Sequence, residues 1–410
     1  MKSILLLFIF LTLIILSQCY VHSEESNLTD TVDSKIISAN NNFGFNLFKN
    51  LIKKSPNNNI FISPISINLA LELAYNGANG ETQKAMAKVL GLEGIDLDTV
   101  NQSNSVLINR YLGIDNKVQI AIANSIWANK GITLNLDFVR RTEELYNARI
   151  RNLDFSHPLA VKAINGWISD ETNAKISRIV ERVNNGAIFY LINALYFKGV
   201  WTKEFNKNNT ADREFYLING KKKMIPMMSQ TSVVKYYQGK DFEAISLPYG
   251  SGKVSMYIFL PNVNSNLSKF INNLNVNNWE KWMSNFSEKE LTIVLPKFKV
   301  NYDVVLNDTL KELGMEIAFG SEADFSGLCK EKVFIDEVKH KTIMEVNEEG
   351  TEAASVTSVE MKMNGTPKFV INRPFFCAIV DNTTGLILFV CYVIDPKPDD
   401  IALETPIKKE

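Results

Sequence analysis

The interpretation of this chain depends on one stretch near its C-terminus, Val346-Asn347-Glu348-Glu349-Gly350-Thr351-Glu352-Ala353-Ala354-Ser355-Val356-Thr357. After an acidic turn at Gly350, every odd-numbered residue from Thr351 to Met363 is small or apolar, whereas the even-numbered residues are mostly polar. Because successive strand side chains point to opposite faces, this run can enter a sheet with its odd-numbered residues buried. The sequence that follows, Asn364-Gly365-Thr366-Pro367, is typical of an exposed loop. The pattern fits an ordinary edge strand, which short alternation alone favours, or a segment that switches between loop and strand.

Composition excludes some classes of function. The chain has 410 residues, of which 46% are hydrophobic and 22% charged, so it can bury a large core. Its net charge of -1 at pH 7 is not typical of a nucleic-acid-binding protein or of a protein bound to a membrane surface. Length alone suggests roughly two or three domains. No long linker or internal repeat divides the sequence, however, which favours one interwoven α+β domain.

The N-terminus has the pattern of a secretory signal peptide, which we assign to residues 1–19. Lys2 precedes an almost wholly apolar run from Ile4 to Leu16, and Ser17-Gln18-Cys19 supplies small residues for cleavage. Cleavage as late as Ser23 is an alternative, and an uncleaved anchor is disfavoured because the apolar run is short for a membrane span. We therefore expect a secreted, extracellular protein with an N-terminal extension over residues 20–35.

Eight Asn-X-Ser/Thr sequons agree with a secretory route, although an Asn-rich sequence creates some by chance and we expect several to be unused. They begin at Asn27, Asn101, Asn208, Asn266, Asn285, Asn307, Asn364 and Asn382.

Removal of the signal peptide leaves three cysteines, Cys329, Cys377 and Cys391, too few for a disulfide scaffold. The core must therefore hold the fold by itself. The sequence predicts that Cys377 and Cys391 are diagonal neighbours on one hairpin face, and it favours buried free thiols over a bridge.

Hydrophobic periodicity predicts helices first and mainly strands later. Helices are expected from the capping candidates Asp33 and Ser34 to near residue 56, from Pro64 to Gly77, and over 81–90, 136–148, 159–176, 267–283 and 304–313. Strands are expected over 60–62, 118–127, 188–197, 233–237, 244–247, 254–260, 291–300, 333–346, 369–371, 375–380 and 386–393. The run 188–197 is almost continuously apolar, which is typical of a central strand.

Indications of an enzyme are scarce. The chain has only three histidines, His22, His157 and His340, and it contains neither a Gly-X-Ser-X-Gly elbow nor a phosphate-binding Gly-X-X-X-X-Gly-Lys loop. Metal signatures such as His-Glu-X-X-His are also missing. We therefore expect no enzymatic activity, no metal and no cofactor. The basic clusters Lys221-Lys222-Lys223 and Arg140-Arg141 are interpreted as solvated surface charge, and polyanion binding is left open.

Four motifs follow one another along the chain: Asn59-Ile60-Phe61-Ile62-Ser63-Pro64-Ile65-Ser66-Ile67, Leu191-Ile192-Asn193-Ala194-Leu195-Tyr196-Phe197-Lys198-Gly199-Val200-Trp201, Val338-Lys339-His340-Lys341 leading to Thr357, and Asn372-Arg373-Pro374-Phe375-Phe376. In this order they resemble the motifs of the serpin family, and the resemblance extends over about residues 36–397. The resemblance implies an α+β fold of three β-sheets with about nine helices, and a single domain over 36–397. It also implies an exposed hinge and reactive loop over 347–367, followed by a C-terminal tail over 398–410.

The resemblance implies a mechanism as well. A target protease cleaves the exposed loop, which then inserts as an extra strand into the main sheet and carries the acylated protease with it. The alternation supports this independently, since about fourteen strand residues span on the order of 45 Å. No proline interrupts the run from Thr351 to Asn364. Added backbone hydrogen bonds and buried apolar side chains would make insertion downhill.

Carried over residue by residue, the resemblance assigns two groups of functional residues. Ser63, Ser66, Asn193 and His340 match the polar cluster where the main sheet opens, and Trp201 matches the top of that sheet, where insertion begins. Hydroxyl, amide and imidazole groups can exchange hydrogen bonds as strands part. The flexible hinge comprises Glu348, Glu349, Gly350, Thr351, Glu352, Ala353, Ala354, Ser355, Val356 and Thr357.

The scissile bond is less sharply determined. Counting about fourteen residues beyond Gly350 gives Asn364-Gly365, and a loop one residue shorter gives Met363-Asn364. Asn364 implies an asparagine-selective protease, Met363 an elastase-like or chymotrypsin-like one, and Lys362 a trypsin-like one. A glycan on Asn364 would obstruct docking, so either that sequon is unused or Asn364 is not the contact residue.

The sequence thus predicts a suicide-substrate inhibitor of serine proteases, with cysteine proteases as a further target class. The alternative is a non-inhibitory member that acts as a carrier, storage protein or chaperone. Such members often carry bulky or charged hinge residues, which this hinge largely lacks. We expect a monomer whose partner is the target protease, with no nucleic acid and no membrane.

Overall fold

The computed structural model describes residues 32–263, 265–351 and 365–398. The expected signal peptide, almost all of the N-terminal extension, the hinge beyond Thr351 and the tail after residue 398 lie outside this part of the chain.

Nine α-helices are found among the described residues, and none of them is long and apolar enough to cross a bilayer. They are α1 (Ser34–Lys54), α2 (Pro64–Tyr75), α3 (Gly80–Leu90), α4 (Leu97–Leu112), α5 (Leu136–Tyr146), α6 (Ala160–Glu171), α7 (Leu267–Asn272), α8 (Val276–Met283) and α9 (Asn307–Leu310).

The same part of the chain has fifteen strands. They are β1 (Ile60–Ile62), β2 (Val118–Asn129), β3 (Arg149–Leu153), β4 (Phe189–Val200), β5 (Ala211–Tyr216), β6 (Lys222–Gln238), β7 (Phe242–Tyr249), β8 (Val254–Pro261), β9 (Ser287–Pro296), β10 (Phe298–Val305), β11 (Glu337–Val346), β12 (Gly350–Thr351), β13 (Lys368–Val370), β14 (Phe375–Asp381) and β15 (Ile387–Val393).

The N-terminal helices begin and end close to where the sequence predicts. The Asp33 carboxylate caps α1 by accepting a hydrogen bond from the Lys35 N–H at 2.8 Å. Ser63 caps α2, with Pro64 in the first turn, and every residue of α2 is buried. Helix α3 ends at Gly91, whose φ of 74° lies in the left-handed region that favours glycine.

Several elements differ from the sequence-based prediction. Helix α4 lies in a segment with no clear apolar period, because its buried face includes Asn101 and Asn104 beside Val100 and Leu107. Strand β3 is likewise unpredicted, and β6 is much longer than the predicted 233–237. The helix predicted over 267–283 is two helices, α7 and α8, and the strand predicted over 291–300 is broken between β9 and β10.

The six-stranded sheet, which we call the main sheet, has the order β10-β11-β4-β2-β3, with β12 also paired to β4. Strand β4 runs antiparallel to β2 and parallel to β11, where His340 lies opposite Asn193. Both faces of β4 are buried, which accounts for its nearly continuous apolar sequence.

The second sheet has nine strands, in the order β1-β15-β14-β8-β7-β6-β9-β13 with β5 on β6. Two of the three expected sheets form one hydrogen-bonded network here, because β6 pairs first with β5, then with β9 and finally with β7. Its pairing of β1 with β15 joins the first strand of the chain to the last. The expected α+β fold is confirmed.

Aromatic side chains fill the space between this sheet and helices α7 and α8. The ring centroid of Phe259 lies 5.4 Å from those of Phe270 and Trp279 and 5.8 Å from that of Phe376. These separations are typical of favourable aromatic pairs. Burial of each such side chain contributes about 1.5–3 kcal/mol, so the cluster holds the two short helices on the sheet.

The three described cysteines are buried free thiols. The prediction that Cys377 and Cys391 are diagonal neighbours is wrong, since β14 and β15 place them directly opposite each other. A bulge between Ile379 and Val380 takes up one extra residue of β15 and sets this register. Burial raises the pKa of Cys329 to about 11 and raises that of Cys391 well above its usual value.

We expect a water-soluble thiol reagent to leave Cys329, Cys377 and Cys391 unmodified in the native protein, because the reactive species is an exposed thiolate. All three should react once the protein is unfolded without reductant. Mass spectrometry of the peptides, with and without denaturant, makes the comparison. Loss of two hydrogens from the Cys377 and Cys391 peptides would reveal a disulfide and contradict the prediction.

Candidate functional site

The four residues predicted to form the sheet-opening cluster come together at the N-terminus of α2, beside β4 and β11. His340 Nε2 accepts a hydrogen bond from the Ser63 N–H at 3.2 Å, and His340 Nδ1 lies 2.5 Å from Asn193 Oδ1. The Asn193 amide donates to the Ser66 carbonyl at 2.9 Å and also to Ser66 Oγ. Each of these side chains is at most 1% exposed. The contacts tie both parallel strands to one helix, so the strands cannot part here without exchanging hydrogen bonds.

His340 is neutral in this cluster. Burial lowers its pKa from the ordinary 6.5 to about 3. Because Nε2 accepts from Ser63, the neutral ring carries its proton on Nδ1 and donates to Asn193. The histidine therefore acts as a hydrogen-bonding link rather than as a charge.

Two further polar residues bind these strands to their neighbours and were not identified from the sequence. Asn124 lies opposite Asn193 in the β2–β4 pairing, and its Oδ1 accepts from the Asn193 amide at 2.5 Å. Thr342 Oγ1 donates to the Phe61 carbonyl at 2.6 Å and so ties β11 to β1. In each case the sequence shows a polar residue at an inward-facing position of a mostly apolar strand. The hydrogen-bond partner of that residue can be recognised only once the strand register is known.

The start of the hinge is already paired with the main sheet. In β12, Gly350 lies opposite Val200 and Thr351 opposite Gly199, antiparallel to β4. Gly350 has a φ of 145°, and a Cβ atom there would lie 2.0 Å from the Gly199 carbonyl oxygen. Only glycine fits this close approach of two backbones.

Trp201 holds the backbone of the hinge. Its ring Nε1–H donates to the Asn347 carbonyl at 3.0 Å, and its backbone N–H donates to the Glu349 carbonyl at 2.9 Å. The Phe205 N–H donates to the Glu348 carbonyl at 2.8 Å. The indole ring is 2% exposed and stacks on Tyr249, with ring centroids 4.3 Å apart. Trp201 therefore lies directly after the end of β4 and contacts the hinge there. Its role at the start of loop insertion stays a prediction.

The two hinge glutamates in the described part of the chain, Glu348 and Glu349, are buried and paired. Glu348 bonds to Lys297 Nζ at 2.9 Å and accepts from Thr210 Oγ1 at 2.7 Å. Burial alone would raise the pKa of Glu348, but the hydrogen bonds from Lys297 and Thr210 outweigh it and hold the pKa below its usual value. Glu349 pairs with Lys207. Neither Lys207, Lys297 nor Thr210 was identified from the sequence, because each lies far from the hinge along the chain.

The other predicted loop residues are only partly described. Hinge residues 352–357 and the reactive-bond candidates Lys362, Met363 and Asn364 lie outside the described residues. Gly365 is described and exposed, with a φ of 113°.

The described sequons differ in accessibility. Asn101 is 1% exposed and its amide donates to Asn76, so a glycan there would require this contact to be broken. The Asn382 amide donates to the Gly252 carbonyl and to Ser255 Oγ, which uses both of its hydrogens. Asn307 is half-buried. The exposed sequon residues are Asn208, Asn266, Asn285 and Asn382, while Asn27 and Asn364 lie outside the described part.

The basic clusters have local partners. Lys222 pairs with Glu214 at 2.9 Å, and Arg140 pairs with Asp137 at 3.0 Å. Lys223 pairs with Asp395. These contacts agree with the interpretation as surface charge, except at Arg141, which is half-buried and donates to the Asn76 carbonyl at 3.1 Å.

Acid is expected to weaken the sheet-opening cluster. The folded-state pKa of His340, about 3, lies below its ordinary 6.5, so the neutral ring contributes stability above pH 6.5 that is lost as the pH falls toward 3. His340→Gln should flatten the dependence of the urea unfolding midpoint on pH between about pH 7 and pH 4. His157→Gln, at an exposed histidine, should keep the wild-type dependence. Identical pH profiles for all three proteins would refute this expectation.

Loss of one hinge ion pair should loosen the hinge. Glu348→Gln removes the charge that pairs with Lys297, and a charge-assisted hydrogen bond contributes about 1.5–3 kcal/mol. Because the Lys297 side chain is 32% exposed, we expect Glu348→Gln to lower the free energy of unfolding by about 1–2 kcal/mol. Hydrogen exchange should accelerate at the Trp201 and Phe205 amides.

The matched control is Glu81→Gln. The Glu81 carboxylate lies 2.7 Å from Lys84 Nζ in an exposed pair within α3, so this change should leave exchange at Trp201 and Phe205 unaltered. Equal exchange in both variants would mean that the Lys297 ion pair does not hold the hinge.

Comparisons with known proteins agree with this geometry. A family model described as serpin (serine protease inhibitor) matches residues 38–396. An uncharacterised serpin-like protein of Thermococcus kodakarensis is 33% identical over 379 residues, covering 90% of this chain and 88% of that protein. The native thermophilic serpin tengpin matches with a TM-score of 0.83 at 32% identity, over 89% of this chain and 95% of tengpin. Human thyroxine-binding globulin matches with a TM-score of 0.84 at 26% identity, over 90% of this chain and 100% of that one. The chain belongs to the serpin family.

Proposed function

We propose that this protein is a secreted suicide-substrate inhibitor of serine proteases. The protease serine Oγ attacks the carbonyl carbon of the reactive bond, the C–N bond breaks, and the released amine takes up a proton. The N-terminal part of the loop then remains attached to the serine as an ester. Insertion of this part into the main sheet moves the protease before water hydrolyses the ester.

The position of β12 is the observation that carries this proposal. At Gly199 one edge of β4 is occupied by Val118 of β2, so β12 lies along the other edge. That other edge is the one that β11 covers further down, as far as the pairing of Ile343 with Tyr196. A longer β12 would therefore extend between β4 and β11.

Continuing the β12 register predicts where the loop residues would lie. Gly350 is opposite Val200, so in the same antiparallel register Thr357 would lie opposite Asn193. Met361 would lie opposite Phe189, the first residue of β4. The reactive-bond candidates Lys362, Met363 and Asn364 follow directly after this last paired position.

The two faces of β4 agree with the alternation of the loop. Directly opposite residues in an antiparallel pair have side chains on the same face. In this register, odd-numbered loop residues lie opposite odd-numbered β4 residues. The main hydrophobic core contains the odd-numbered β4 residues Phe189, Leu191, Leu195 and Phe197. Small and apolar loop residues would thus enter the core, as the sequence pattern predicts.

A protease panel tests the proposal. The full-length secreted protein is incubated with trypsin-like, chymotrypsin-like, elastase-like and asparagine-selective proteases and analysed on denaturing gels. We expect a covalent complex with at least one class, and mass spectrometry of the released fragment should identify the bond near Asn364. Cleavage without any such complex would disprove suicide inhibition.

A pair of substitutions tests the faces of the inserted strand. Ala353→Arg would place a charge opposite Phe197, facing the core, and should convert the inhibitor into a substrate because a buried unpaired charge is costly. Ala354→Arg would lie opposite Tyr196, on the face where the exposed Lys175 lies 5.7 Å from the Tyr196 ring centroid. It should retain at least part of the covalent complex on denaturing gels. Equal loss of complex in both variants would contradict the predicted register.

A small-molecule carrier is the second candidate function, and a cavity favours it. A half-open cavity of about 1040 Å³ lies between the start of α1, the end of α4, helix α8 and the β14–β15 turn. Its lining includes Ile37, Val106, Arg110, Tyr257, Trp279 and Met283. Thyroxine-binding globulin, by its name a hormone carrier, has the same fold. If cleavage of the loop produced no rise in thermal stability, the carrier hypothesis would gain over inhibition.

A further inference from the structure

A fully buried carboxyl group lies in the middle of α2. Glu72 is 0% exposed, and its two carboxyl oxygens accept hydrogen bonds from the amides of Asn68 at 2.8 Å and Asn104 at 2.5 Å. It has no ion pair with any cation in the described part of the chain. A buried carboxylate without a cationic partner is expensive, which makes this group unlike the paired Glu348 and Glu349.

Glu72 belongs to a closed polar network between three helices, which we call the Glu72 cluster: Asn68 and Glu72 of α2 with its C-cap Asn76, Asn101 and Asn104 of α4, and Tyr146 of α5. The Tyr146 hydroxyl donates to Asn101 Oδ1 at 2.7 Å and accepts from the Asn104 amide at 3.1 Å. The amides of Asn76 and Asn101 each donate to the other's oxygen, at 2.8 and 2.9 Å. Every member is at most 5% exposed. The cluster therefore replaces apolar packing at this helix interface.

Two oxygens of the cluster lack a partner. Asn68 Oδ1 and Asn104 Oδ1 are buried without a hydrogen bond, and both belong to the amides that contact Glu72. Rotation of either amide by half a turn would direct its oxygen toward the carboxyl group and its NH2 group away from it. The new contact requires a proton on Glu72, which then donates to the amide oxygen. Protonation thus gives the amide oxygen a donor, while the rotated NH2 group gives up the carboxyl oxygen as its acceptor.

The charged and titratable groups around Glu72 do not stabilise its ionised form by direct contact. Tyr75 of α2 and Tyr146 of α5 are phenols, and α4 contributes only amides to the cluster. Arg141 of α5 donates to the Asn76 side-chain oxygen at 3.2 Å and to the Asn76 carbonyl at 3.1 Å, not to Glu72. Burial raises the pKa of Glu72 to about 8, although the Asn104 and Asn68 hydrogen bonds oppose the shift.

We propose that Glu72 is a proton-controlled latch of the α2–α4–α5 interface, closed while the carboxyl group is protonated and loosened when it ionises in mildly alkaline solution. The same helix α2 carries Ser63 and Ser66 of the sheet-opening cluster at its N-terminus. Ionisation of Glu72 therefore also weakens the support of the closed main sheet. This inference does not depend on protease inhibition.

The sign of the pH effect follows from linkage. The folded-state pKa of about 8 lies above the ordinary 4.5, so the protonated group contributes stability that is full below pH 4.5 and lost as the pH rises to about 8. Glu72→Gln keeps the size of the side chain and a neutral amide but removes the titration. Between about pH 5 and pH 9 the wild-type unfolding constant should rise, relative to that of Glu72→Gln, by on the order of 10³-fold.

Urea titrations of the full chain at a series of pH values measure this difference. The matched control is Glu93→Gln, at an exposed glutamate, which should keep the wild-type pH dependence. Parallel pH profiles for the wild type and Glu72→Gln would overturn the proposal. If Glu72→Gln does not fold, infrared spectroscopy of the wild-type protein decides: a buried carboxylic-acid carbonyl band at about pH 6.5 that disappears by about pH 9 supports the latch, and no such band at pH 6.5 overturns it.

Discussion

The parallel pairing of β11 with β4 is the interaction on which the rest of the molecule depends. It covers the edge of β4 along which the hinge begins, and it joins two strands that are far apart in sequence. A parallel pair is slightly less stable per residue than an antiparallel one. A strand that continues β12 would be antiparallel to both neighbours. The proposed insertion would therefore exchange one parallel pairing for two antiparallel ones and bury apolar side chains as well. Both changes lower the free energy of the inserted state.

Buried polar contacts hold β4 and β11 together in the main sheet. His340 and Asn193 bond to each other and to the first turn of α2, so separation of the strands exposes several unsatisfied groups at once. Trp201 holds the hinge backbone at the top of the same strand. The proposed loop insertion would therefore combine a downhill rearrangement with local contacts that delay it.

Polar residues inside helices explain where sequence reasoning succeeded and where it failed. Helix α2 was predicted well because Ser63 and Pro64 mark its start and apolar residues dominate it. Helix α4 was missed because Asn101 and Asn104 occupy positions on its buried face. These two asparagines interrupt the hydrophobic period of α4. They do so because their side chains form hydrogen bonds with Glu72 and Tyr146 across the helix interface.

The sequence by itself determined the family, the α+β class, the central strand and the alternation of the hinge sequence, because these reside in local motifs and in residue periodicity. It also singled out four polar residues that the structure brings together, and their part in opening the sheet stays a prediction. Tertiary structure alone decided which edge of β4 the hinge occupies, which lysines pair with Glu348 and Glu349, and that Asn124 completes the cluster. It also decided that Cys377 and Cys391 lie directly opposite each other, because of a β-bulge that the amino-acid types in these strands do not predict. Register and long-range pairing depend on how strands and helices pack against one another, and a linear pattern does not contain that information.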